Sequence, residues 1–297
     1  MNINQASLDA IRVGFQSNFQ GGLDGVETEY GRIATTVPSS TKSNKFGWLG
    51  KMPGMREWIG ERQIRGIAEH SYAIENRSYE LTEAVDRNDI EDDNLGTYAP
   101  LMTAMGEAVG ALPDELVFTA LANGFTELCY DGQNFFDTDH PVLDAKGNPQ
   151  SVSNTAGGAG TAWFILDLTK PLKPIIFQER QAPQFVSKDN PADERVFMNR
   201  QFVYGADRRC SVGYGFWQMA YASRQTLNGD NYKAARNAML TMKTDYGRPL
   251  PRRRLTLVVP QSLELEAMEL LNSERDANGA TNVYRNTADL FVANWLG

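Results

Sequence analysis

Thr97-Tyr98-Ala99-Pro100-Leu101-Met102-Thr103-Ala104-Met105-Gly106-Glu107-Ala108-Val109-Gly110-Ala111-Leu112-Pro113-Asp114-Glu115-Leu116-Val117-Phe118-Thr119-Ala120-Leu121-Ala122-Asn123-Gly124 is the stretch on which the fold turns. Leu101, Met105, Ala108 and Leu112 recur at helical spacing, and Thr97 is placed to cap the first turn. Pro113 removes a backbone donor and crowds the carbonyl of Val109, so the helix is expected to kink there or restart. Asp114 and Glu115 would suit a restarted N-terminus through the helix dipole. Leu116, Val117, Ala120 and Leu121 continue the pattern until Asn123-Gly124 supplies a stop. The whole reads as one long, bent helix.

Upstream, the first thirty or so residues place Ile3, Leu8, Ile11 and Phe15 on one helical face and then break into Gln20-Gly21-Gly22-Leu23-Asp24-Gly25. This predicts a short helix followed by a mobile arm. Between residues 33 and 85 the signal is strand-like but builds little core: residues 33–37 are β-branched, and Tyr72, Ile74, Tyr79 and Leu81 alternate with polar neighbours. At its middle, Phe46-Gly47-Trp48-Leu49-Gly50-Lys51-Met52-Pro53-Gly54 sets aromatics among turn formers, and Arg56-Glu57-Trp58 follows. A long hairpin reaching another chain explains this mixture, because exposed aromatics favour interfaces. An ordinary surface hairpin with a local aromatic cluster explains it as well.

Downstream, residues 125–130, Asp131-Gly132 and Phe135-Phe136 read as a hairpin, and residues 141–160 as a loop rich in Gly, Ser, Asn and Pro. Residues 162–168 begin a helix or a strand, 174–178 alternate, and 200–212 look like a strand pair with Phe202, Tyr204 and Val212 inward. Tyr232, Ala235, Met239 and Met242 line a helix, and residues 255–259 form a buried-type strand. Ser262 can cap a further helix carrying Leu263, Ala267, Leu270 and Leu271, and residues 290–296 make a final strand too apolar to hang free. Strand and helix mix in α+β fashion, and no repeat of fixed period appears.

Composition bounds the rest. A chain of 297 residues buries roughly three quarters of its unfolded surface and needs neither disulfide nor metal to hold a core. No apolar run approaches the roughly 18 residues a membrane span requires, and residues 1–5 lack the basic and apolar segments of a signal peptide. Cys129 and Cys210 are expected as two buried, inert thiols. A net charge of −8, from 29 Lys and Arg against 37 Asp and Glu, argues against a tight binder of nucleic acid.

The best enzyme-like cluster is Asp137-Thr138-Asp139-His140-Pro141, whose two carboxylates and imidazole are ligand types for a divalent cation. His70 is the only other histidine and no second ligand cluster follows, so a capped turn after Phe136 is the plainer reading. Gly157-Gly158-Ala159-Gly160-Thr161 lacks the lysine of a phosphate-binding loop. Arg252-Arg253-Arg254 is either a phosphate contact or a solvated edge, and Glu91-Asp92-Asp93 either a cation site or a solvated turn. No serine or cysteine has a persuasive base, so catalytic residues, cofactors and metals are expected to be none.

Three blocks carry a resemblance. Glu75-Asn76-Arg77-Ser78-Tyr79-Glu80 with Val85-Asp86-Arg87-Asn88-Asp89-Ile90-Glu91-Asp92-Asp93 and Gly96-Thr97-Tyr98 resembles the major head subunits of Mu-like bacteriophages. So do Cys129-Tyr130-Asp131-Gly132-Gln133-Asn134-Phe135-Phe136-Asp137-Thr138-Asp139-His140-Pro141, and Trp48-Leu49-Gly50 with Arg56-Glu57-Trp58. Leu257-Val258-Val259-Pro260-Gln261-Ser262-Leu263-Glu264 is similar to a strand-and-helix segment common in phage capsid subunits.

The resemblance implies the Hong Kong 97-type phage capsid fold. Its parts would be an N-terminal arm (1–32), an extended β-hairpin loop with flanking strands (33–85), a peripheral domain (86–155 and 280–297) with a long spine helix at about 97–124, and an axial domain (156–279). It implies a major capsid protein of a tailed phage, assembling as hexamers and pentamers of an icosahedral shell around double-stranded DNA. Implied partners are scaffold, maturation protease, portal and a decoration protein, with DNA touched weakly and no membrane. The implied place is the virion, after assembly in the host cytoplasm. Trp48, Leu49, Arg56, Glu57 and Trp58 are the expected contacts with a neighbouring subunit. Some relatives join neighbours covalently through a lysine and an asparagine. Lys45 and Lys51 lie in the expected loop, but no asparagine held by a carboxylate marks a partner, so the reaction is not carried over. Two other readings stay open: a metal-dependent hydrolase centred on Asp137, Asp139 and His140, and another virion component such as a tail or decoration protein.

Overall fold

Asn4 opens the first element. Its side chain accepts the N–H of Ser7 at 2.9 Å while Ser7 Oγ accepts the N–H of Asn4 at 3.0 Å, a reciprocal cap that starts helix α1 (Gln5–Asp24). The computed structural model describes residues 4–47, 49, 72–92, 95–251, 254–276 and 279–297. Leu8, Ile11, Phe15 and Phe19 face inward at the spacing the sequence predicts. The glycines at 21 and 22, read from sequence as the onset of a mobile arm, lie inside the helix.

A short helix α2 (Tyr30–Ile33) and strand β1 (Ala34–Pro38) follow, and then β2 (Ser43–Lys45) pairs antiparallel with β3 (Ala73–Glu75). That pair is the root of the expected hairpin, whose outer part lies outside the described residues. Strand β4 (Arg77–Asp86) leads through α3 (Arg87–Glu91) to α4 (Ala99–Asn123).

Helix α4 is the long helix of the sequence, unbroken across Pro113. Pro113 cannot donate to the carbonyl of Val109, and the Arg208 guanidinium donates to that oxygen instead, at 3.3 Å. Asp114 does not open a second helix. It is buried, and its carboxylate accepts the N–H groups of Glu29 at 2.9 Å and Tyr30 at 2.5 Å, capping α2 from across the fold. Asp114→Ala is therefore expected to cost about 1–2 kcal/mol, read as a lower urea midpoint. Thr97 does not cap α4; it ends a 3-10 turn, and Tyr98 stands at the cap position with Pro100 in the first turn.

The helix's inward face is also shifted from expectation. Leu101 is exposed, and Met102, Met105, Gly106, Val109 and Gly110 are buried. The cause is α1. A Cβ on Gly106 would lie 2.0 Å from the carbonyl oxygen of Phe19, and one on Gly22 would lie 2.0 Å from that of Thr103. The two helices cross backbone to backbone, and only glycine permits it.

After α4 the chain reverses tightly through Gly132, with a single bridge between Leu128 and Asn134 where a hairpin was expected. The expected loop at 141–160 instead holds a hairpin of β5 (His140–Leu143) and β6 (Pro149–Val152), then an edge strand β7 (Thr155–Gly158). Next come β8 (Trp163–Leu166), the long strand β9 (Ile175–Lys188), a short helix α5 (Glu194–Asn199) and the equally long β10 (Gln201–Tyr214). Strand β11 (Ala220–Arg224), helix α6 (Gly229–Thr241), the small pair β12 (Lys243–Thr244) and β13 (Arg248–Pro249), β14 (Thr256–Pro260), α7 (Glu264–Asn272) and β15 (Asp289–Ala293) complete the fold. Ser262 sits in a 3-10 turn ahead of α7 and does not cap it.

Two sheets organise these strands. One has the order β1-β9-β10-β4, and the other β15-β14-β8-β11-β7. This regroups two of the expected segments. Residues 175–188 and 201–214 join the N-terminal strands instead of the rest of 156–279, and β15 pairs with β14 instead of belonging with 86–155. Burial explains the division. Every residue of β8 is buried, as a strand covered on both faces requires, whereas the outer part of β9 alternates, with one face open to solvent. The N-terminal half of α4 packs with α1 and the first sheet in a smaller core, and its C-terminal half enters the larger core around the second sheet.

Candidate functional site

The aromatic loop is only partly placed. Trp48, Arg56, Glu57 and Trp58 lie outside the described residues. Leu49 is fully buried in the chain's own core, and its N–H donates to the carbonyl of Phe46 at 3.0 Å. Phe46 is itself buried and bonded to the Tyr72 carbonyl. Leu49 therefore roots the loop within its own chain and does not face outward as a contact residue.

The Asp137-Asp139-His140 set does not converge. His140 is fully buried, and its partners come from elsewhere: Nδ1 meets Asp131 Oδ2 at 2.7 Å, and Nε2 meets Asn154 Oδ1 at 3.2 Å. Asn154 is held in that orientation because its Nδ2 donates to the carbonyl of Phe135 at 2.8 Å and its Oδ1 accepts the N–H of Asp137 at 2.9 Å. Both ring nitrogens thus face carboxylate or amide oxygens. The ring also stacks on the indole of Trp217, centroids 4.0 Å apart and planes 9° from parallel. Asp137 spends its carboxylate on the N–H groups of Asn134 and Thr138, and Asp139 accepts from Ser151 Oγ.

Cys129, Asp131 and His140 do bring potential ligand atoms within 4.8 Å of one another. They are bonded to one another: Cys129 Sγ donates to Asp131 Oδ1 at 3.0 Å, and burial with the neighbouring carboxylate pushes the thiol well above its ordinary value. Burial opposes ionisation of Asp131, yet the hydrogen bonds from His140 and Cys129 outweigh it and hold its carboxyl below the usual carboxylate value. Cys210 is likewise buried, and desolvation raises its thiol to about 11. The cluster is a self-satisfied hydrogen-bond network that fixes the hairpin behind Trp217.

The remaining motifs serve the fold. At Gly158, with φ of 103°, a Cβ would meet the Arg224 carbonyl at 2.5 Å, so the glycine run lets β7 close against β11. Glu91 pairs with Arg87 at 2.9 Å, and Arg254 with Asp289 at 2.7 Å. Asp93, Arg252 and Arg253 lie outside the described residues.

One feature was missed in the sequence. Helix α5 buries Val196 and leaves Phe197 at 84% and Met198 at 68% exposure. The signal was available: three consecutive apolar residues cannot all face inward on so short a helix.

The chain matches, over residues 8–296, the family described as Mu-like prophage major head subunit gpT. It is 42% identical over 305 residues to the major capsid protein of Escherichia phage Mu, covering 100% of both chains. Among solved structures it is similar to a chain of the procapsid of bacteriophage JBD30, with a TM-score of 0.86 and 47% identity over 99% of this chain and 100% of that one. It is also similar to a chain of the JBD30 capsid decorated with minor capsid protein trimers, with a TM-score of 0.79 and 36% identity over 94% of each.

Proposed function

Because the chain belongs to the Mu-like prophage major head subunit family, and so is a major capsid protein of a tailed bacteriophage that self-assembles into shells, we propose that it forms hexamers and pentamers of an icosahedral container for double-stranded DNA. The observation that carries this is the match along the whole chain to a subunit of a solved procapsid. A shell needs many modest contacts repeated by symmetry, which accumulate stability while leaving assembly correctable. A net charge of −8 suits the wall of such a container, since it repels the packaged polyanion and lets it leave again.

In this reading the four-stranded sheet with α1 and α4 is the peripheral part, α4 its spine, and the five-stranded sheet the axial part. The protein is a virion component, built in the host cytoplasm. Its partners are its own copies, a scaffold, a maturation protease, a portal, a decoration protein such as the trimers on the related capsid, and DNA held weakly. Among the described residues no helix is long and apolar enough to cross a membrane. Electron microscopy of the protein expressed alone or with its scaffold tests the reading: closed shells or capsomers are expected, and a persistent monomer would count against it.

The chain works as a wall and not as an enzyme. Among the described residues the one cluster of ligand types is internally bonded, so metal analysis of the purified protein is expected to find no stoichiometric metal. A chelator should leave the melting temperature unchanged; one bound metal per chain would revive the hydrolase reading. Trp48, Trp58, Arg56 and Glu57 seat the extended loop on an adjacent subunit. Trp48→Ala with Trp58→Ala is expected to lower the yield and heat resistance of shells, and normal shells from that variant would remove the assignment.

A further inference from the structure

We propose that α5 of one subunit docks into a groove between α4 and the β4–β10 edge of a second copy, with Phe197 as its anchor. This rests on the shell-forming function above. On α5, Glu194, Phe197 and Met198 stand at i, i+3 and i+4 and share one exposed face, while Val196 ties the helix to its own core. An aromatic at 84% exposure beside a methionine at 68% is an apolar knob that water alone does not stabilise.

The groove offers the matching seat. Leu81, Ala108, Val109, Leu112 and Ala206 line an open pocket of about 130 Å³. A cavity of about 150 Å³ is enough for benzene, so this one is of the size a phenyl ring needs. A second pocket shares its walls at Tyr79, Glu80 and Arg208 and extends to Arg209. The Nε atoms of Arg208 and Arg209 are shielded from solvent with no hydrogen-bond partner among the described residues, and Arg208 is nine-tenths buried. Buried donors of that kind ask for an acceptor. Glu80 and Asp207 also line this pocket, and Glu80 already accepts from Thr82 Oγ1 at 2.6 Å. Arg208 is already paired with Glu179 at 2.8 Å, so with Phe197 in the apolar pocket the carboxylate of Glu194, one turn away on the same face, meets the half-buried guanidinium of Arg209.

A chain cannot fill its own groove. Helix α5 ends where β10 begins, and the groove lies seven residues further along that strand, roughly 20 Å at about 3.4 Å per residue. Knob and seat are different surfaces of one molecule, so the contact runs head to tail and closes only around a rotation axis, as in a ring of shell subunits.

A short bismaleimide cross-linker applied to assembled shells of Phe197→Cys with Ala108→Cys tests the contact, because Cys129 and Cys210 are buried. Covalent oligomers from the double variant, and few from either single variant, are expected. Equal cross-linking by Phe197→Cys alone would mean that the knobs meet one another, and absence of oligomers would mean that they meet something else; either overturns the proposal. Phe197→Asp should raise the concentration needed for assembly at least tenfold while the unassembled subunit keeps its melting temperature. Assembly of that variant at the wild-type concentration would also overturn it. Glu194→Arg should weaken assembly and Arg209→Glu in the same chain restore it; a defect without rescue rejects the seat. Failure of the wild-type chain to form shells would sink the function itself, a result distinct from all of these.

Discussion

Gly106→Val is expected to unseat the first helix and to cost the subunit at least about 3 kcal/mol, near the top of the range for an overpacked core. The clash is with backbone, at 2.0 Å from the Phe19 carbonyl and 2.8 Å from the Leu23 nitrogen, so no side chain can swing away to relieve it. Relief requires α1 to lift off α4, and lifting exposes Leu8, Ile11, Phe15 and Phe19, each of which stabilises by about 1.5–3 kcal/mol when buried. Urea unfolding measures the loss, and limited proteolysis locates it: the variant should be cut within residues 5–24 under conditions that leave the parent intact. An unfolding free energy within about 0.5 kcal/mol of the parent's, the spread of surface substitutions, would show that the glycine crossing does not hold the helix.

His140→Ala is expected to destabilise by about 3–5 kcal/mol, because it strands the Asp131 carboxylate in the interior and strips the face of Trp217. Asp131→Asn should fall in the same range, and the double variant should lose less than the sum, since the pair acts as a unit. The pH dependence has a definite sign. The folded-state pKa of Asp131 is depressed, so its contribution is present above the unfolded value near 3.9 and is lost as pH falls through the lower folded value. Stability measured between about pH 2 and 5 should therefore drop more steeply in the parent than in Asp131→Asn, and parallel curves would refute the pairing.

Much of this architecture is legible in the residues. The extent of α4, the strands flanking the loop, the strand and helix at residues 256–272 and the returning C-terminal strand all stand where periodicity puts them. What escaped has physical causes. Hydrophobic spacing places Leu101 inside because it weighs side chains, whereas the true contact is made by glycines that have none. Asp114 next to a proline looks like a local helix start, but its acceptors serve the amides of Glu29 and Tyr30, which only the tertiary fold brings near. The Asp137-Asp139-His140 cluster draws the eye through adjacency, while the real partners of His140 lie 9 and 14 residues away at Asp131 and Asn154. The fully apolar strands and the alternating ones could have been sorted into two sheets from burial logic alone.

The register of the first sheet has a consequence for timing during synthesis. Strand β1 pairs with β9, Ala34 opposite Ile175, and β4 pairs with β10, Arg77 opposite Cys210. The first pairing needs the chain made to residue 179 and the second to residue 210, well past the middle of its 297 residues, and contacts so distant in sequence close slowly. A nascent or truncated subunit therefore has no finished sheet on which a neighbour could dock. The order of the strands acts as a length check, holding incomplete chains out of a shell in which a faulty copy would be locked among sound ones.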